Sequence, residues 1–248
     1  MKRDVFAWSA ARWGSGLAGT PADIVRLYDD PDGHLAVITN AYDHGFATCW
    51  PAGSRLLLDS FVDTWASAEG PLDERLIAAF SLARSRFEAE APALVEDREW
   101  PYLEDPRGAL IAMASDGRCA HVAWIGGGQA LLVRGGHVVD QTEPHTMQAE
   151  LRLRLPSADP AFPPGILART IGRSSRDQEP PTRWRVDVEA DDLLVLMDRE
   201  HERAAGIGAG DVDGLTQLRD RPCVAVATFR MGADPAQHGN GLGEPGRV

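Results

Sequence analysis

The first clear hydrophobic pattern along the chain is a pair of short apolar segments bounded by turn residues. This pattern is typical of antiparallel strands. Residues 24–28 (IVRLY) and 34–39 (HLAVIT) are predicted as two such strands. The sequence DDPDG between them is a strong turn signal, because Asp, Pro and Gly each favour a turn conformation. The pattern therefore predicts a β-hairpin.

The apolar spacing then changes to three and four residues, which indicates two helices. Residues 54–67 place Leu, Phe, Val and Trp on one face, and Ser54 is predicted as the N-cap. Residues 71–90 form a longer helix, with Pro71 in its first turn and Pro92 helping to end it.

Apolar runs separated by turn signals follow the helices and predict a meander of four strands. These are residues 109–115, 119–125, 129–134 and 137–142, with turns at Asp116-Gly117 and Gly135-Gly136. Later strands are predicted at 184–190, 192–198 and 223–230. Residues 155–183 are expected to be a loop with a short helical piece at 166–171.

This order of elements predicts one α+β domain, in which a helix pair packs on antiparallel sheets. The domain is expected to span residues 1–231, and the Gly- and Pro-rich residues 232–248 are expected to be a disordered tail.

Composition narrows the functional classes. The formal net charge of -12 over 248 residues argues against nucleic-acid binding, which needs a basic surface. No apolar run approaches the ~20 residues that span a bilayer, so membrane insertion is not expected. The three cysteines are far apart in sequence, which favours a reducing cytoplasm over a disulfide framework. The protein is therefore expected to be cytoplasmic.

Two motif look-alikes have simpler explanations. The segment GSGLAG (14–19) matches G-x-G-x-x-G, but no buried strand precedes it and a proline follows, so a flexible loop explains it better than a dinucleotide site. The segment GDVDG (210–214) lacks the distal Glu of a calcium loop, so a solvated turn explains it better.

Oxygen-bearing side chains near the predicted strand ends are the most informative candidates. Asp23, Asn40, Asp198 and Asp220 each lie at or near the end of a predicted strand. A hard divalent cation binds several oxygens that converge from different strands, so these four are the candidate metal ligands. The alternative is that Asp and Asn favour strand ends for turn reasons alone.

Six segments form one ordered series along the chain: 15–25, 35–44, 121–145, 166–172, 191–199 and 220–229. In this order they resemble the metal-dependent serine/threonine phosphatase family (PPM, type 2C), and the resemblance covers about residues 1–231. Thr142 and His145 match the family's Thr-x-Asp-His ending, and Arg169 matches its Arg-x-x-Gly segment. The resemblance implies a four-layer α-β-β-α sandwich, in which two antiparallel sheets are flanked by helices.

The departures from the family pattern fall on its metal and phosphate ligands. By the resemblance, the bridging Asp is replaced by Asn40 and the glycine after it by Ala41. The Asp and Arg of the family's Gly-Asp-Ser-Arg turn are replaced by Gly127 and Gln129. Ala22 replaces a metal-ligating Glu and Ala18 replaces the Arg that holds phosphate, whereas the positions of Asp23, Asp198 and Asp220 are kept.

These replacements predict a weakened centre. A neutral Asn40 removes the anion that lets two cations lie close together, and the lost Arg removes a bidentate phosphate clamp. No cofactor is expected beyond one weakly bound Mg²⁺ or Mn²⁺ at Asn40, Asp198 and Asp220. No residue is assigned a catalytic role.

The leading hypothesis is a pseudophosphatase that acts by binding a protein, such as a phosphoprotein or a kinase, in bacterial regulation or secretion. A second hypothesis is an active Mg²⁺- or Mn²⁺-dependent phosphoprotein phosphatase with a rearranged centre, in which Asp43 and His44 supply ligands. A third is an unrelated α+β scaffold subunit whose resemblance to the family is accidental.

Overall fold

The structure is a computed structural model. It describes residues 7–13, 25–30, 33–42, 50–95, 106–155, 166–172, 179–190, 192–197 and 224–230. Within these ranges, no helix is long and apolar enough to cross a membrane.

Ten strands and three helices make up this part of the chain. In chain order they are β1 (Ala7–Trp13), β2 (Val25–Asp30), β3 (Gly33–Tyr42), α1 (Pro51–Ser67), α2 (Leu72–Leu94), β4 (Arg107–Ser115), β5 (Cys119–Ile125), β6 (Gln129–Arg134), β7 (His137–Gln141), α3 (Met147–Arg154), β8 (Thr182–Asp187), β9 (Leu193–Met197) and β10 (Val224–Arg230).

The strands form two antiparallel five-stranded sheets. The first sheet has the order β2-β3-β4-β5-β8 and the second has the order β1-β10-β9-β6-β7. The predicted hairpin is confirmed, because β2 pairs with β3 from Val25↔Ile38 to Asp30↔Gly33.

Two apolar cores position the layers. On β3, Leu35 and Val37 belong to a core shared with α1 and α2, whereas Ala36 and Ile38 belong to a core shared with strands of both sheets. The period of two along a strand therefore gives the first sheet a helix-facing side and a sheet-facing side. The expected α+β fold, two antiparallel sheets flanked by helices, is confirmed.

The predicted four-strand meander is wrong at its centre. β4 pairs with β5 in the first sheet and β6 pairs with β7 in the second, so the chain changes sheets at residues 126–128. A glycine-containing turn gives the same sequence signal whether the chain folds back on its neighbour or crosses to another layer. The Gly135-Gly136 turn is confirmed, and both glycines have positive φ.

The predicted helix boundaries also need correction. α1 begins at Pro51, after an N-cap at Trp50, because proline is well suited to the first helical position. Ser54 therefore lies inside the helix, where its buried side chain contacts β3. Pro92 lies within the last turn of α2 and does not end the helix, which continues to Leu94.

Three further assignments differ from the sequence-based prediction. Residues 166–172 contain no helix, and instead Leu167 and Ile171 form isolated bridges with Thr146 and Gly108. α3 and β1 were not predicted. The start of α3 is marked by Thr146, whose hydroxyl accepts a hydrogen bond from the N–H of Ala149 at 3.1 Å. The predicted tail at 232–248 lies outside the described residues.

Candidate functional site

Asn40 lies near the end of β3, opposite Ala109 of β4. It shares the sheet-facing side of β3 with Ala36 and Ile38, and only 9% of it is exposed. An amide at this point is neutral, so it gives a divalent cation one oxygen but no charge compensation.

The backbone of Ala41, the next residue, is engaged by the start of α1. The carbonyl of Ala41 accepts a hydrogen bond from the N–H of Trp50 at 2.7 Å, and its N–H donates to the Ser54 hydroxyl at 2.9 Å. The carbonyl that the resemblance would assign to a metal is thus hydrogen-bonded within the fold.

The turn from β5 to β6 lies against the same part of β4. A Cβ atom on Gly126, where φ is +109°, would lie 2.4 Å from the Cβ of Ala109, the strand partner of Asn40. A Cβ atom on Gly128 would lie 2.8 Å from Cγ2 of Ile111. Only glycine allows this close approach. Because Ala109 is the strand partner of Asn40, this glycine turn (residues 126–128) lies beside Asn40, and its residues carry no carboxylate.

The end of β9 meets the same turn. Met197 pairs with Gln129, the residue after the turn, and also with Val226 near the start of β10. Val25, at the start of β2, pairs with Ile38 near the end of β3. The starts of β2, β6 and β10 and the ends of β3 and β9 therefore lie at one end of the sandwich.

Of the four candidate ligands, the structure describes Asn40. Asp23, Asp198 and Asp220 lie outside the described residues, so their role as metal ligands stays a prediction. The same is true of Asp43 and His44.

The described part of the site offers the amide of Asn40 and the glycine turn 126–128 and thus contributes no anionic oxygen, whereas the candidate carboxylates lie outside the described residues. Gln129 stands at the position of the family's Arg. Its side-chain amide N–H donates a hydrogen bond to the carbonyl of Thr142 at 3.4 Å. Among the described residues there is no group of three or more His, Cys, Asp or Glu side chains that could hold a metal ion.

Thr142 and His145, the two residues that match the family's Thr-x-Asp-His ending, form hydrogen bonds with the glycine turn and with the residue pair that follows it. The hydroxyl of Thr142 accepts a hydrogen bond from the N–H of Ala130 at 2.8 Å. The N–H of His145 donates to the carbonyl of Gly126 at 2.9 Å, and Nδ1 of its ring accepts from the N–H of Gly126 at 3.3 Å. Both ends of the turn are therefore held by the segment that follows β7.

The ring of His145 is neutral. It stacks on Trp124 with a centroid distance of 5.6 Å, and burial followed by the nearby charge of Arg169 lowers its pKa to about 3. Nδ1 accepts from the N–H of Gly126, while Nε2 lies 2.8 Å from the Thr182 hydroxyl and 3.1 Å from Nη1 of Arg169.

Arg169 connects the surroundings of His145 to the start of β8. Its guanidinium donates to the Thr182 hydroxyl at 2.8 Å and to the carbonyl of Pro180 at 2.7 Å, and it lies 3.3 Å from the Glu179 carboxylate. The guanidinium is committed to these internal contacts, so in this arrangement it is not available to hold phosphate. The resemblance pointed to Arg169, but no sequence pattern indicated Thr182 as its partner.

Several solved structures with the same fold are described as serine/threonine phosphatases. PstP/Ppp from Mycobacterium tuberculosis is 18% identical, with a TM-score of 0.64, and the match covers 92% of this chain and 99% of that chain. The PPM Ser-Thr phosphatase MsPP from Mycobacterium smegmatis is 16% identical, with a TM-score of 0.62 and coverage of 91% and 98%. PppA from Pseudomonas aeruginosa, described as a key regulatory component of T6SS, is 16% identical, with a TM-score of 0.63 and coverage of 91% and 97%.

A separate structure of the PstP catalytic domain contains two manganese ions; it is 16% identical, with a TM-score of 0.61 and coverage of 91% and 98%. No protein-family model matches the chain, and no curated protein matches it. The resemblance to PPM phosphatases is thus confirmed at the level of the fold.

Proposed function

We propose that the chain is a pseudophosphatase: a protein with the PPM phosphatase fold that acts by binding a protein partner in bacterial regulation. The observation that carries the proposal is the environment of Asn40. A neutral amide stands at the position of the bridging carboxylate, beside a glycine turn that offers no replacement. With less negative charge, two cations would repel each other at short distance, so in-line attack by a metal-bridged water is not expected.

Binding of a partner agrees with what is said of one structural relative. PppA is described as a regulatory component, and a regulatory protein can act by binding a partner without a catalytic reaction on it. The partner proposed here is a phosphoprotein or a kinase, and the proposed compartment is the cytoplasm. One weakly bound Mg²⁺ or Mn²⁺ is compatible with the proposal, with Asn40, Asp198 and Asp220 as its ligands.

The direct test is hydrolysis of an aryl phosphate by the purified protein in excess Mn²⁺. We expect a rate no higher than that of the Asp198→Ala variant. Turnover by the wild-type chain that disappears in Asp198→Ala would contradict the proposal and would favour the second hypothesis, an active phosphatase with a rearranged centre.

A calorimetric titration with Mn²⁺ distinguishes the pseudophosphatase hypothesis from the active-phosphatase hypothesis further. The active-enzyme reading predicts a tight site that is lost in Asp43→Ala. The pseudophosphatase reading predicts weak binding that tightens in Asn40→Asp, because the new carboxylate restores an anion. Gln141→Asp, which adds a carboxylate at the exposed end of β7, is the matched control and should leave binding unchanged.

A further inference from the structure

β8 is an edge strand of the first sheet. It pairs with β5 from Cys119↔Asp187 to Trp124↔Thr182, and no strand in the described part of the chain pairs with its other side. The backbone N–H and C=O groups on that side therefore have no ladder partner among the described residues. Such an edge is a template for an additional strand.

Alternate side chains of β8 have different environments. Trp184 and Val186 pack on the core between the sheets, so Arg183 and Arg185 lie on the opposite, helix-facing side, where both are exposed. α2 packs on β4 and β5. A cleft of about 210 Å³ lies where α2 meets the edge of the sheet, and its walls include Asp73, Leu76, Ile77, His121, Arg183 and Arg185.

The two arginines carry the positive charge of this face on a chain whose net charge is -12, and Asp187 of β8 and Asp73 of α2 are the acidic groups beside them. Arg183 makes no hydrogen bond or ion pair with any residue in the described ranges. Arg185 donates to the Cys119 sulfur at 3.0 Å and lies 3.6 Å from Asp187, in an ion pair whose side chains are 68% and 87% exposed. An exposed pair of this kind is easily exchanged for a better partner. Asp73, on the helix wall of the cleft, is the one acidic group among the lining residues.

We propose that β8 is a docking strand for an extended acidic segment of a partner protein. A segment that pairs with β8 would place every second side chain on the helix-facing side, about 7 Å apart, which matches the spacing of Arg183 and Arg185. The occupant that fits has Asp or Glu at positions i and i+2, and each carboxylate meets one guanidinium. This inference rests on the proposed function in that the chain acts by binding, but it uses a surface separate from Asn40.

Charged side chains on an edge strand also have a protective role, because they discourage pairing between sheets. The two explanations differ in one measurable respect. Docking requires the backbone of β8 to pair with the ligand, whereas protection requires that backbone to stay unpaired.

The probe is a fluorescein-labelled nine-residue peptide of alternating Thr and Glu, and binding is measured by anisotropy. The charge reversal Arg183→Glu/Arg185→Glu should weaken binding about tenfold, since two attractions become repulsions. The matched control is Arg152→Glu/Arg154→Glu, an exposed arginine pair with the same spacing and charge change on α3, which should change binding less than about twofold. Circular dichroism checks that both variants fold.

Peptide controls test the register and the chemistry. A peptide of the same composition with adjacent Glu pairs should bind more weakly, and one with Lys in place of Glu should not bind. In labelled wild-type protein, amide shifts on peptide addition should concentrate in residues 182–187. Equal affinity for the two Glu peptides, an unchanged affinity of the Arg183→Glu/Arg185→Glu variant, amide shifts elsewhere, or binding only of a phosphoserine version would each overturn the proposal.

The outcome is independent of the aryl phosphate assay. A catalytically active chain that binds the alternating peptide would refute the pseudophosphatase proposal and keep the docking strand. An inactive chain that fails to bind would do the reverse.

Discussion

Acidification should destabilise the fold through His145. The ring is neutral in the native state, where burial and then Arg169 lower its pKa to about 3 from the ordinary 6.5. Between these two values the unfolded chain binds a proton that the native chain does not bind. Stability is therefore greatest above pH 6.5 and falls as the pH drops toward 3.

The size of the effect follows from this difference. At pH 5 the solution lies about 1.5 units below the unfolded pKa, and each unit is worth about 1.36 kcal/mol. His145 alone should thus lower the free energy of unfolding by about 2 kcal/mol between pH 7.5 and pH 5. For a domain of this size that is a fall of roughly 4–8 °C in Tm.

The assay is urea unfolding at pH 7.5 and pH 5 of the wild type, His145→Asn and His137→Asn. His145→Asn retains a hydrogen-bond acceptor for the N–H of Gly126 but cannot titrate, so the pH-dependent loss should shrink by about 2 kcal/mol. His137, exposed on β7, is the matched control, and its variant should keep the wild-type loss. If His145→Asn loses as much stability on acidification as the wild type does, the proton linkage argued here is refuted.

Three substitutions test the packing that positions the site, each measured as a change in the free energy of unfolding. Asp192→Asn should cost about 2 kcal/mol, because the buried carboxylate accepts two hydrogen bonds from the half-exposed Arg134 at 2.8 and 2.7 Å; an unchanged midpoint would contradict this. Phe61→Ala should cost about 3–5 kcal/mol, because the side chain is fully buried; a loss below about 1 kcal/mol would mean that the helix core is loosely packed. Gly126→Ala should cost about 2–4 kcal/mol from the positive φ and the clash with Ala109, and a stable variant would show that the turn does not approach β4 as described.

Local patterns were sufficient to predict most elements. The turn DDPDG and its flanking apolar runs predicted the β2–β3 hairpin, and the change of period predicted α1 and α2. The crossing from β5 to β6 could not be predicted, because glycine specifies a tight turn but not the sheet in which the next strand lies. That assignment depends on contacts such as Gly128 against Ile111, which join residues far apart in sequence.

The candidate ligands were chosen because Asn, Asp and Gly mark strand ends. The structure places the ends of β2, β3, β6, β9 and β10 at one end of the sandwich, and the ligand roles of Asp23, Asp198 and Asp220 stay predictions. The roles of Thr182 and of the Ala41 carbonyl were not predictable, since both depend on partners that only the folded chain brings near. The arginine pair of β8 did alternate in the sequence, but its position at an edge is a property of the sheet order.

Direct protein contacts hold the part of the fold around Asn40. The glycine turn is held by His145 and Thr142 through backbone hydrogen bonds, and Asn40 lies on a strand that packs on both cores. Neither contact passes through a metal. Repulsion among clustered carboxylates is a cost that a metal would offset, so a neutral amide at Asn40 removes a reason for the apo site to be unstable. On the proposed pseudophosphatase function, the chain would keep the surfaces of the phosphatase fold for binding and lack the charge that two cations require.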